Sequence, residues 1–323
     1  MTPTGISVAM CTYNGSAFLD AQLESIATQR LAPEELVVCD DGSTDGTLGI
    51  LDAFSKAAPF AVRIHANEHR LGYVKNFEKA ISLCTAEVVA LADQDDVWDP
   101  DKLRASAQVL DDQPEVGLVC TDAEIVDRDL NPLGVRMAGS LGFGSADQAL
   151  VAGGKALHVL VRTNFVTGAT MAFRASFVAD IVPIPESWVH DGWIALVIAL
   201  RSQVAFIDRP LVQYRQHDGN QVGAPKRYGL GDLLAGAMPA PSSALRQEAE
   251  KWHVARERAA FIDQAAGGDL QRLLAKEQHM LARAQLPDPR LARVPRVVRE
   301  FVVGNYHRYS AGSGSAVKDL LRS

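Results

Sequence analysis

Short apolar runs alternate with longer amphipathic stretches through the first hundred residues of the chain. The apolar runs predict β-strands at 6–11, 36–39, 60–65 and 88–92. Apolar residues at helical spacing predict helices at 17–29, 44–56 and 74–83. Because strands and helices alternate, we predict a doubly wound α/β fold with a mostly parallel sheet covered on both faces.

Beyond residue 100 the pattern is less regular. It predicts helices at 102–110 and 192–200 and strands at 116–121, 165–173 and 204–207. The glycine-rich stretch 131–154 has little periodicity and predicts a loop. From 244 to about 284 the pattern is helical and charged, with a break near "AAGGD". We therefore expect one domain over 1–224 and a helical C-terminal extension over 225–323.

Acidic and other polar residues follow three of the predicted strands, in "CTYNG", "CDDGSTDGT" and "ADQDD". Strand-end loops of a parallel sheet meet at one edge, so these groups should share a crevice. The carboxylates among them are Asp40, Asp41, Asp93, Asp95 and Asp96. Two like charges about 4 Å apart cost on the order of 4 kcal/mol at an effective dielectric constant of ~20. A divalent metal that carries a diphosphate would remove this repulsion.

Each acidic motif also has a simpler interpretation. "DGSTDGT" is typical of a turn followed by a helix N-cap, and "DQDD" of a turn after a strand. Their occurrence at two strand ends of one chain favours a shared site. Other phosphate-binding signatures are missing, since no GxGxxG follows the first strand and "GSTDGT" lacks the lysine of a P-loop.

Seven motifs in this order resemble the inverting nucleotide-sugar glycosyltransferases of family two, which have the GT-A fold. They are "SVAMCTYNG", "LVVCDDGSTDGT", "NEHRLGYVKNFEKAI", "VVALADQDDVWDPDKL", "GATMAFR", "HDGWIALVIAL" and "YRQHDGN", and they cover roughly 6–220. The sequence is most similar to the bacterial rhamnosyltransferase branch. The resemblance implies a nucleotide-binding part over about 1–100 and an acceptor part over about 101–224.

The resemblance also implies roles for residues at matching positions. Asp93 and Asp95 match the DxD motif, in which the first carboxylate meets the ribose and the second the metal, Mn²⁺ or Mg²⁺. Asp41 matches the acidic residue that binds the edge of the base. The remaining nucleotide-sugar positions are Thr12, Tyr13, Asn14, Asn67, Gly72 and Asn76.

Inverting transfer needs a base for the acceptor hydroxyl and an electrophile for the departing diphosphate. Asp191 in "HDGW" matches the family's catalytic base, and its alternative role is the N-cap of a helix starting at Gly192. His190 stands where the family usually has a glutamate. His217 in "YRQH" matches a metal or diphosphate ligand, with an ordinary hydrogen-bonding role as the alternative. Trp98 and Trp193 are candidates for lining a sugar cleft, with a position in the hydrophobic core as the alternative for Trp98.

Composition limits the partners and the compartment. The net charge of −7 argues against nucleic acid as a partner. The N-terminus does not resemble a signal peptide, and the four separated cysteines favour buried thiols over disulfides or zinc. We therefore expect a cytoplasmic protein. The segment 286–323 has seven Lys or Arg and three Asp or Glu. Its residues Arg290, Arg293, Arg296 and Arg299 are three apart, which predicts one basic helical face with an apolar flank and suits peripheral contact with the inner membrane. An ordinary surface helix packed on the body is the alternative.

The resemblance of "ADQDDVWDPDK" and "LGYVKNFEKA" to the rhamnosyltransferase branch implies transfer of L-rhamnose from dTDP-L-rhamnose to a glycan or lipid-linked glycan in surface polysaccharide assembly. A donor of the UDP-hexose or UDP-N-acetylhexosamine type is the alternative. A sugar nucleotidyltransferase is disfavoured because its basic glycine-rich loop is absent, and an inactive glycan-binding homologue because Asp95 and Asp191 are both present.

Overall fold

The computed structural model describes residues 4–217, 241–262 and 267–322. The chain divides into two compact units. The first consists of 1–154 and 165–225, and the second of 155–164 and 226–323. All of the predicted site residues lie in the first unit.

A nine-stranded sheet forms the centre of the first unit. Its strands are β1 (Ile6–Thr12), β2 (Glu35–Asp40), β3 (Ala61–Ala66), β4 (Val88–Ala92), β5 (Val97–Trp98), β6 (Val116–Val126), β7 (Pro132–Arg136), β8 (Met171–Arg174) and β9 (Gln203–Arg215). The order across the sheet is β3-β2-β1-β4-β8-β6-β9-β5, and β7 pairs with β6. Strands β1 to β4 are parallel, as are β6 and β9, whereas β5, β7 and β8 run the other way.

Helices connect these strands and make up the described part of the second unit. They are α1 (Leu19–Ala27), α2 (Thr47–Ala57), α3 (Tyr73–Leu83), α4 (Lys102–Asp112), α5 (Met137–Ser140), α6 (Ser145–Ala152), α7 (Ala156–Leu160), α8 (Val178–Ile181), α9 (His190–Ala199), α10 (Ser242–Ala260), α11 (Gly267–Ala284), α12 (Arg290–Val302), α13 (Asn305–Tyr309) and α14 (Ser313–Leu321). Within the described ranges, no helix has both the length and the apolar character needed to cross a membrane.

The sheet places the polar loops where the strand order reverses. From β1 the chain moves outward through β2 and β3, then returns to add β4 on the other side of β1. Strands β1, β2 and β4 are buried along nearly their whole length, so they appear in the sequence as continuous apolar runs. The loops after β1 and β4 therefore flank the switch point, where ligands of doubly wound sheets bind.

Three sequence predictions for the middle of the chain were wrong. The predicted loop at 131–154 contains β7, α5 and α6. The predicted strand at 165–173 is shorter, because a 3₁₀ turn occupies Gly168–Thr170 and β8 begins only at Met171. The predicted strand at 204–207 extends to Arg215, because its pairing with β6 continues through two irregular steps in register.

A buried polar network holds the second unit together. Arg283 Nε donates to Asp319 Oδ2 at 2.7 Å, and the Tyr306 hydroxyl donates to the same oxygen at 2.7 Å. Beside this pair, His279 Nδ1 lies 2.7 Å from Glu300 Oε2 and its Nε2 lies 3.1 Å from Ser310 Oγ. These bonds join α11, α12, α13 and α14 into one packed group.

Replacing Asp319 with alanine should destabilise the second unit by about 3–5 kcal/mol, because the buried Arg283 guanidinium would lose its partner. Urea unfolding monitored by circular dichroism measures this change. Asp288→Ala, at an exposed aspartate that precedes α12, is the matched control and should change the free energy of unfolding by less than about 0.5 kcal/mol. Equal effects of the two substitutions would contradict the importance of the network.

Candidate active site

The loops after β1 and β4 are joined by one side chain. Gln94 accepts a hydrogen bond from the Tyr13 amide at Oε1, at 2.8 Å, and donates from Nε2 to the Tyr13 carbonyl at 3.1 Å. On the other side, the Asp41 amide donates to the Thr12 carbonyl at 2.8 Å. The ends of β1, β2 and β4 therefore form one continuous edge, as the alternating pattern predicts.

Tyr13 and Asp41 are brought together by Arg70, which lies in the loop between β3 and α3. The Arg70 guanidinium is 3.9 Å from the centre of the Tyr13 ring. Its Nε lies 3.9 Å from Asp41 Oδ2. A flat ring, a cation and a carboxylate thus lie side by side at the end of β2, which is an arrangement that can stack and hydrogen-bond a nucleotide base.

Backbone amides fix the Asp41 carboxylate. Leu71 N donates to Oδ1 at 2.6 Å, and Gly72 N donates to Oδ2 at 2.9 Å. Gly72 has φ of +80°, which a residue with a side chain adopts only with strain, and α3 begins directly after it. The glycine therefore lets the chain turn sharply enough to point two amides at Asp41.

Two asparagines support this arrangement from behind. Asn67 Nδ2 donates to Asp41 Oδ1 at 3.0 Å and to Asn76 Oδ1 at 2.8 Å. Asn76 is buried, and its Nδ2 donates to the Cys39 carbonyl at 2.8 Å. Asn76 therefore supports the Asp41 loop from the protein interior, and Asn67 lies between Asn76 and the Asp41 carboxylate.

Thr12 and Asn14 shape the loops that carry Tyr13. Thr12 Oγ1 donates to the fully buried Asp40 at 2.7 Å, so Asp40 belongs to the scaffold and does not face the crevice with the other carboxylates. Asn14 adopts a left-handed conformation, with φ of +48°, and its Oδ1 accepts from the Thr44 amide at 2.9 Å. These contacts hold the Tyr13 backbone against the start of the loop before α2.

Acidic side chains crowd the end of β4. Burial, followed by the charges of Asp95 and Asp191, raises the pKa of Asp93 to about 7. Burial and the charges of Asp95 and Asp93 raise the pKa of Asp96 well above its usual range. The buried Lys102 acts in the opposite direction on both carboxylates. Asp93, Asp95 and Asp96 therefore lie close enough to affect one another's ionisation, and Asp191 acts on Asp93 as well, whereas Asp40 is not among them.

Asp95 has a second neighbour at the end of β9. His217 Nε2 lies 2.8 Å from Asp95 Oδ2, and the His217 ring packs against Phe18 with 4.6 Å between ring centres and 31° between ring planes. Arg215 Nε donates to the Asp95 carbonyl at 2.6 Å, and its amide donates to Asp96 Oδ1 at 3.0 Å. The long strand β9 thus fixes the acidic loop from the side opposite Tyr13.

The donor set at this point suits a divalent cation. Asp95 offers a carboxylate oxygen and His217 an imidazole nitrogen, a combination that Mn²⁺ accepts. Asp96 Oδ2, close by, is buried and forms no hydrogen bond within the described part of the chain. Over residues 4–217, 241–262 and 267–322, no group of three or more His, Cys, Asp or Glu side chains could hold a metal ion by itself.

Asp191 lies in the first turn of α9. Its Oδ2 accepts from the Gly168 amide at 3.3 Å, and its Oδ1 accepts from the Gly192 amide. The 3₁₀ turn Gly168–Thr170 precedes β8, which runs antiparallel to β4, so this turn lies at the same edge as Asp93. The alternative prediction, in which Asp191 is the N-cap of this helix, is wrong, because α9 begins at His190 and its N-cap is Val189.

The aromatic residues near the site have roles that the sequence did not predict. His190 is buried and stacks on Phe77 with 4.1 Å between ring centres, and burial lowers its pKa to about 3. The interpretation of Trp98 and Trp193 as a sugar cleft is wrong, since both are buried. Lys102 Nζ lies 3.4 Å from the Trp98 ring centre, and Trp193 Nε1 donates to the Ile181 carbonyl at 2.8 Å.

Sequence reasoning missed Arg70, Gln94 and Arg215 as site residues. Each is within a stretch quoted for its resemblance, in "HRLGY", "DQDD" and "YRQH" respectively. The partners named above are at least 29 residues away in the chain, as the pair of Arg70 and Asp41 illustrates, so local patterns could not reveal the contacts.

Residues 7–174 match the family model described as "Glycosyl transferase family 2", which is more than half of the 323 residues. The chain belongs to glycosyl transferase family 2. The family assignment made from the seven motifs is thereby confirmed.

Two relatives of this family 2 chain extend the match beyond residue 174. An uncharacterized glycosyltransferase of Nostoc sp. is 28% identical over 228 residues, which is 67% of this chain and 66% of the relative. The dTDP-rhamnosyl transferase RfbG of Shigella flexneri is 26% identical over 228 residues, which is 67% of this chain and 74% of RfbG. The match to an uncharacterized protein of Mycobacterium bovis spans 59% of that relative. The chain thus spans less than two thirds of the length of the Nostoc and Mycobacterium bovis relatives.

Solved structures share the fold. S. aureus TarS 1-349 in complex with UDP-GlcNAc has a TM-score of 0.59 and 17% identity, with 98% of this chain and 89% of that chain covered. The mannosyltransferase PcManGT of Pyrobaculum calidifontis, in complex with GDP-Man and Mn²⁺, has a TM-score of 0.51 and 18% identity, with coverage of 98% and 79%. The predicted GT-A type α/β fold with a helical C-terminal region is confirmed.

Proposed function

We propose that this family 2 chain is a metal-dependent inverting glycosyltransferase, which moves a sugar from a nucleotide diphosphate donor to a hydroxyl group of a glycan or lipid-linked glycan. The observation that carries the proposal is the meeting of Asp93, Asp95 and Asp191 at the switch point of the sheet. We assign this activity to 1–224 and treat 225–323 as a helical extension.

The nucleotide would bind along the ends of β1 and β2. The base would stack against the surface that Tyr13 and Arg70 form together, and Asp41 Oδ2, which accepts the Gly72 amide, has capacity for a further donor on the base edge. Asp93 would accept a hydrogen bond from a ribose hydroxyl. Thr12, Asn14, Asn67, Gly72 and Asn76 would act mainly by fixing the loops around these groups.

Asp95 and His217 would hold a divalent cation, Mn²⁺ or Mg²⁺, together with oxygens of the donor diphosphate. Such a cation, when bound, neutralises the phosphates and stabilises the leaving diphosphate. Phe18 and Arg215 hold His217 and the Asp95 backbone in place for this purpose. PcManGT, whose structure includes GDP-Man and Mn²⁺, has the same fold and is consistent with this assignment.

Asp191 would take the proton from the acceptor hydroxyl. The Gly168 and Gly192 amides donate to its two oxygens and orient its carboxylate. His190 would not compete for this role, because its ring is buried against Phe77. One carboxylate base and a direct displacement account for inversion without a covalent intermediate.

For the donor we propose dTDP-L-rhamnose, used in the cytoplasm in the assembly of a bacterial surface polysaccharide. The relative named dTDP-rhamnosyl transferase RfbG supports this choice. A UDP-hexose or UDP-N-acetylhexosamine is the second candidate, supported by the structure of TarS with UDP-GlcNAc.

Calorimetric titration with a panel of nucleotide sugars tests the proposal. We expect dTDP-L-rhamnose to bind more tightly than UDP-glucose or UDP-GlcNAc, and binding to weaken when Mn²⁺ is removed with EDTA. Arg70→Ala should weaken binding of every donor, because the nucleotide base loses its contact with the guanidinium group. Arg30→Ala, at an exposed arginine away from the site, should not weaken binding. Tight binding of a UDP-sugar with no binding of dTDP-L-rhamnose would reverse the order of donors.

Product analysis separates this function from the two remaining alternatives. A transferase should release nucleotide diphosphate faster when acceptor glycan is added. A sugar nucleotidyltransferase should instead form nucleotide sugar from a nucleoside triphosphate and a sugar phosphate. An inactive glycan-binding homologue should bind glycan and release no nucleotide.

A further inference from the structure

The described surface of the second unit has an apolar stripe that nothing in its own unit covers. The stripe lies on α12 and consists of Leu291, Val294, Val298, Phe301 and Val302. These residues recur at steps of three and four, so they lie along one side of the helix. Leu291 is 87% exposed, Val298 51% and Val302 78%, whereas Val297 on the adjacent side is buried in the core of the unit.

Near this stripe, most of the basic side chains are exposed, whereas most of the acidic side chains are buried or hydrogen-bonded. Of the three acidic residues in 286–323, Asp319 is buried against Arg283 and Glu300 is bonded to His279 and Asn305, which leaves Asp288 exposed. Of the seven basic residues, Arg293 and Arg322 are buried and Lys318 is half-buried. The exposed basic residues are Arg290, Arg296, Arg299 and Arg308.

The buried Arg293 corrects one detail of the sequence analysis. The four arginines of α12, at steps of three, do not share one face. Arg293 points inward and donates to the carbonyls of Pro287 and Asp288 at 2.6 and 2.8 Å. Arg290 and Arg299 remain exposed, and helical spacing places them at the two margins of the apolar stripe.

We infer that α12 is a membrane-docking helix, which lies flat on a bilayer containing anionic lipids. Its apolar stripe would enter the boundary between headgroups and acyl chains, and the exposed arginines at its margins would contact lipid phosphates. The acidic body, with a net charge of −7 for the whole chain, would be repelled by such a surface, so the arginines of α12 also orient the molecule. An anionic bilayer matches both the apolar stripe and the positive charge around it.

Co-sedimentation of the full chain with vesicles tests this inference and does not depend on its enzymatic activity. We expect binding to vesicles of equimolar phosphatidylglycerol and phosphatidylcholine, and much weaker binding to phosphatidylcholine alone. High salt should release the protein, because part of the attraction is between exposed charges. The double substitution Val294→Asp with Val298→Asp should reduce the vesicle-bound fraction by roughly tenfold or more, because charged groups replace apolar ones in the stripe.

A matched control is available in β7, where Leu133 and Val135 are exposed to a similar extent, at 49% and 43%. Leu133→Asp with Val135→Asp should leave vesicle binding unchanged. Arg290→Gln with Arg299→Gln should weaken binding to anionic vesicles, while Arg30→Gln with Arg104→Gln, at exposed arginines of the first unit, should not. Thermal melting confirms that each variant is folded.

A further variant reports insertion directly. Val298→Trp should shift its fluorescence to shorter wavelength when anionic vesicles are added, relative to the unsubstituted chain. Equal vesicle binding by the unsubstituted chain and by Val294→Asp with Val298→Asp would overturn the inference. A second result would also overturn it. If the chain does not bind vesicles, and light scattering shows a dimer that Val294→Asp with Val298→Asp dissociates, then α12 faces a second copy of the chain.

Discussion

Replacing Asp191 with asparagine should lower the single-turnover rate of sugar transfer by about 10²–10⁴-fold, the usual contribution of a general base. The amide keeps the size of the carboxylate, and its single oxygen can still accept from one of the two amides, Gly168 or Gly192, but it cannot take a proton. Donor affinity should therefore stay within about twofold, since the change removes a group that acts on the acceptor. Rapid-quench measurement of transfer, together with calorimetry of donor binding, gives both quantities.

The control for this substitution is Asp147→Asn. Asp147 also lies in the first turn of a helix, α6, so the same change tests the loss of a charge near a helix N-terminus. The free energy of unfolding of both variants should fall by at most about 1 kcal/mol from this effect. Only Asp191→Asn should show a lower single-turnover rate of sugar transfer. If Asp191→Asn transfers sugar at the unsubstituted rate, another residue must be the base.

Replacing Asp95 with alanine should abolish metal-stimulated transfer while the fold remains intact. Removing the carboxylate takes away one of the two proposed protein ligands for the cation and removes the contact between Asp95 and His217. A bound divalent ion is worth several kcal/mol of charge stabilisation, which corresponds to a loss of roughly 10³-fold or more. Titration of activity against Mn²⁺ should show no response to the metal in this variant.

The exposed Asp208, whose carboxylate pairs with Arg136 at 2.8 Å, provides the comparison. Asp208→Ala should keep the full response to Mn²⁺, because it removes a surface carboxylate outside the acidic loop. Full activity of Asp95→Ala in excess EDTA would show that transfer does not need a cation at this position. The proposal of a metal-dependent reaction would then fail even if Asp191 proved essential.

The sequence predicted the elements that are buried on both faces. Strands β1 and β4 consist of consecutive buried residues, so hydrophobicity alone located them to within a residue or two. Parallel pairing then brought the loops of Tyr13 and Asp93 to one edge, a consequence of topology that needs no knowledge of side-chain contacts.

The middle of the chain was harder to predict for physical reasons. Strand β7 is exposed along its whole length and is held by its pairing with β6, so it has no apolar pattern of its own. Phe165 and Val166 are buried without forming a strand, which made a loop resemble one. The contact between Asp191 and Gly168 depends on where β8 starts, and only the folded sheet determines that position.

Gln94 links the two halves of the crevice, because one amide group holds the Tyr13 backbone at both its N–H and its carbonyl. The residues on either side of Gln94 are Asp93 and Asp95, so ordering of the acidic loop and ordering of the Tyr13 loop draw on the same bonds. If the nucleoside binds at the Tyr13 loop and the cation at the acidic loop, as proposed, we expect ordering of one loop to lower the entropic cost of ordering the other, which would be positive cooperativity without any large movement. Linkage would make this effect reciprocal, so the cation and the nucleoside should raise each other's affinity by the same factor.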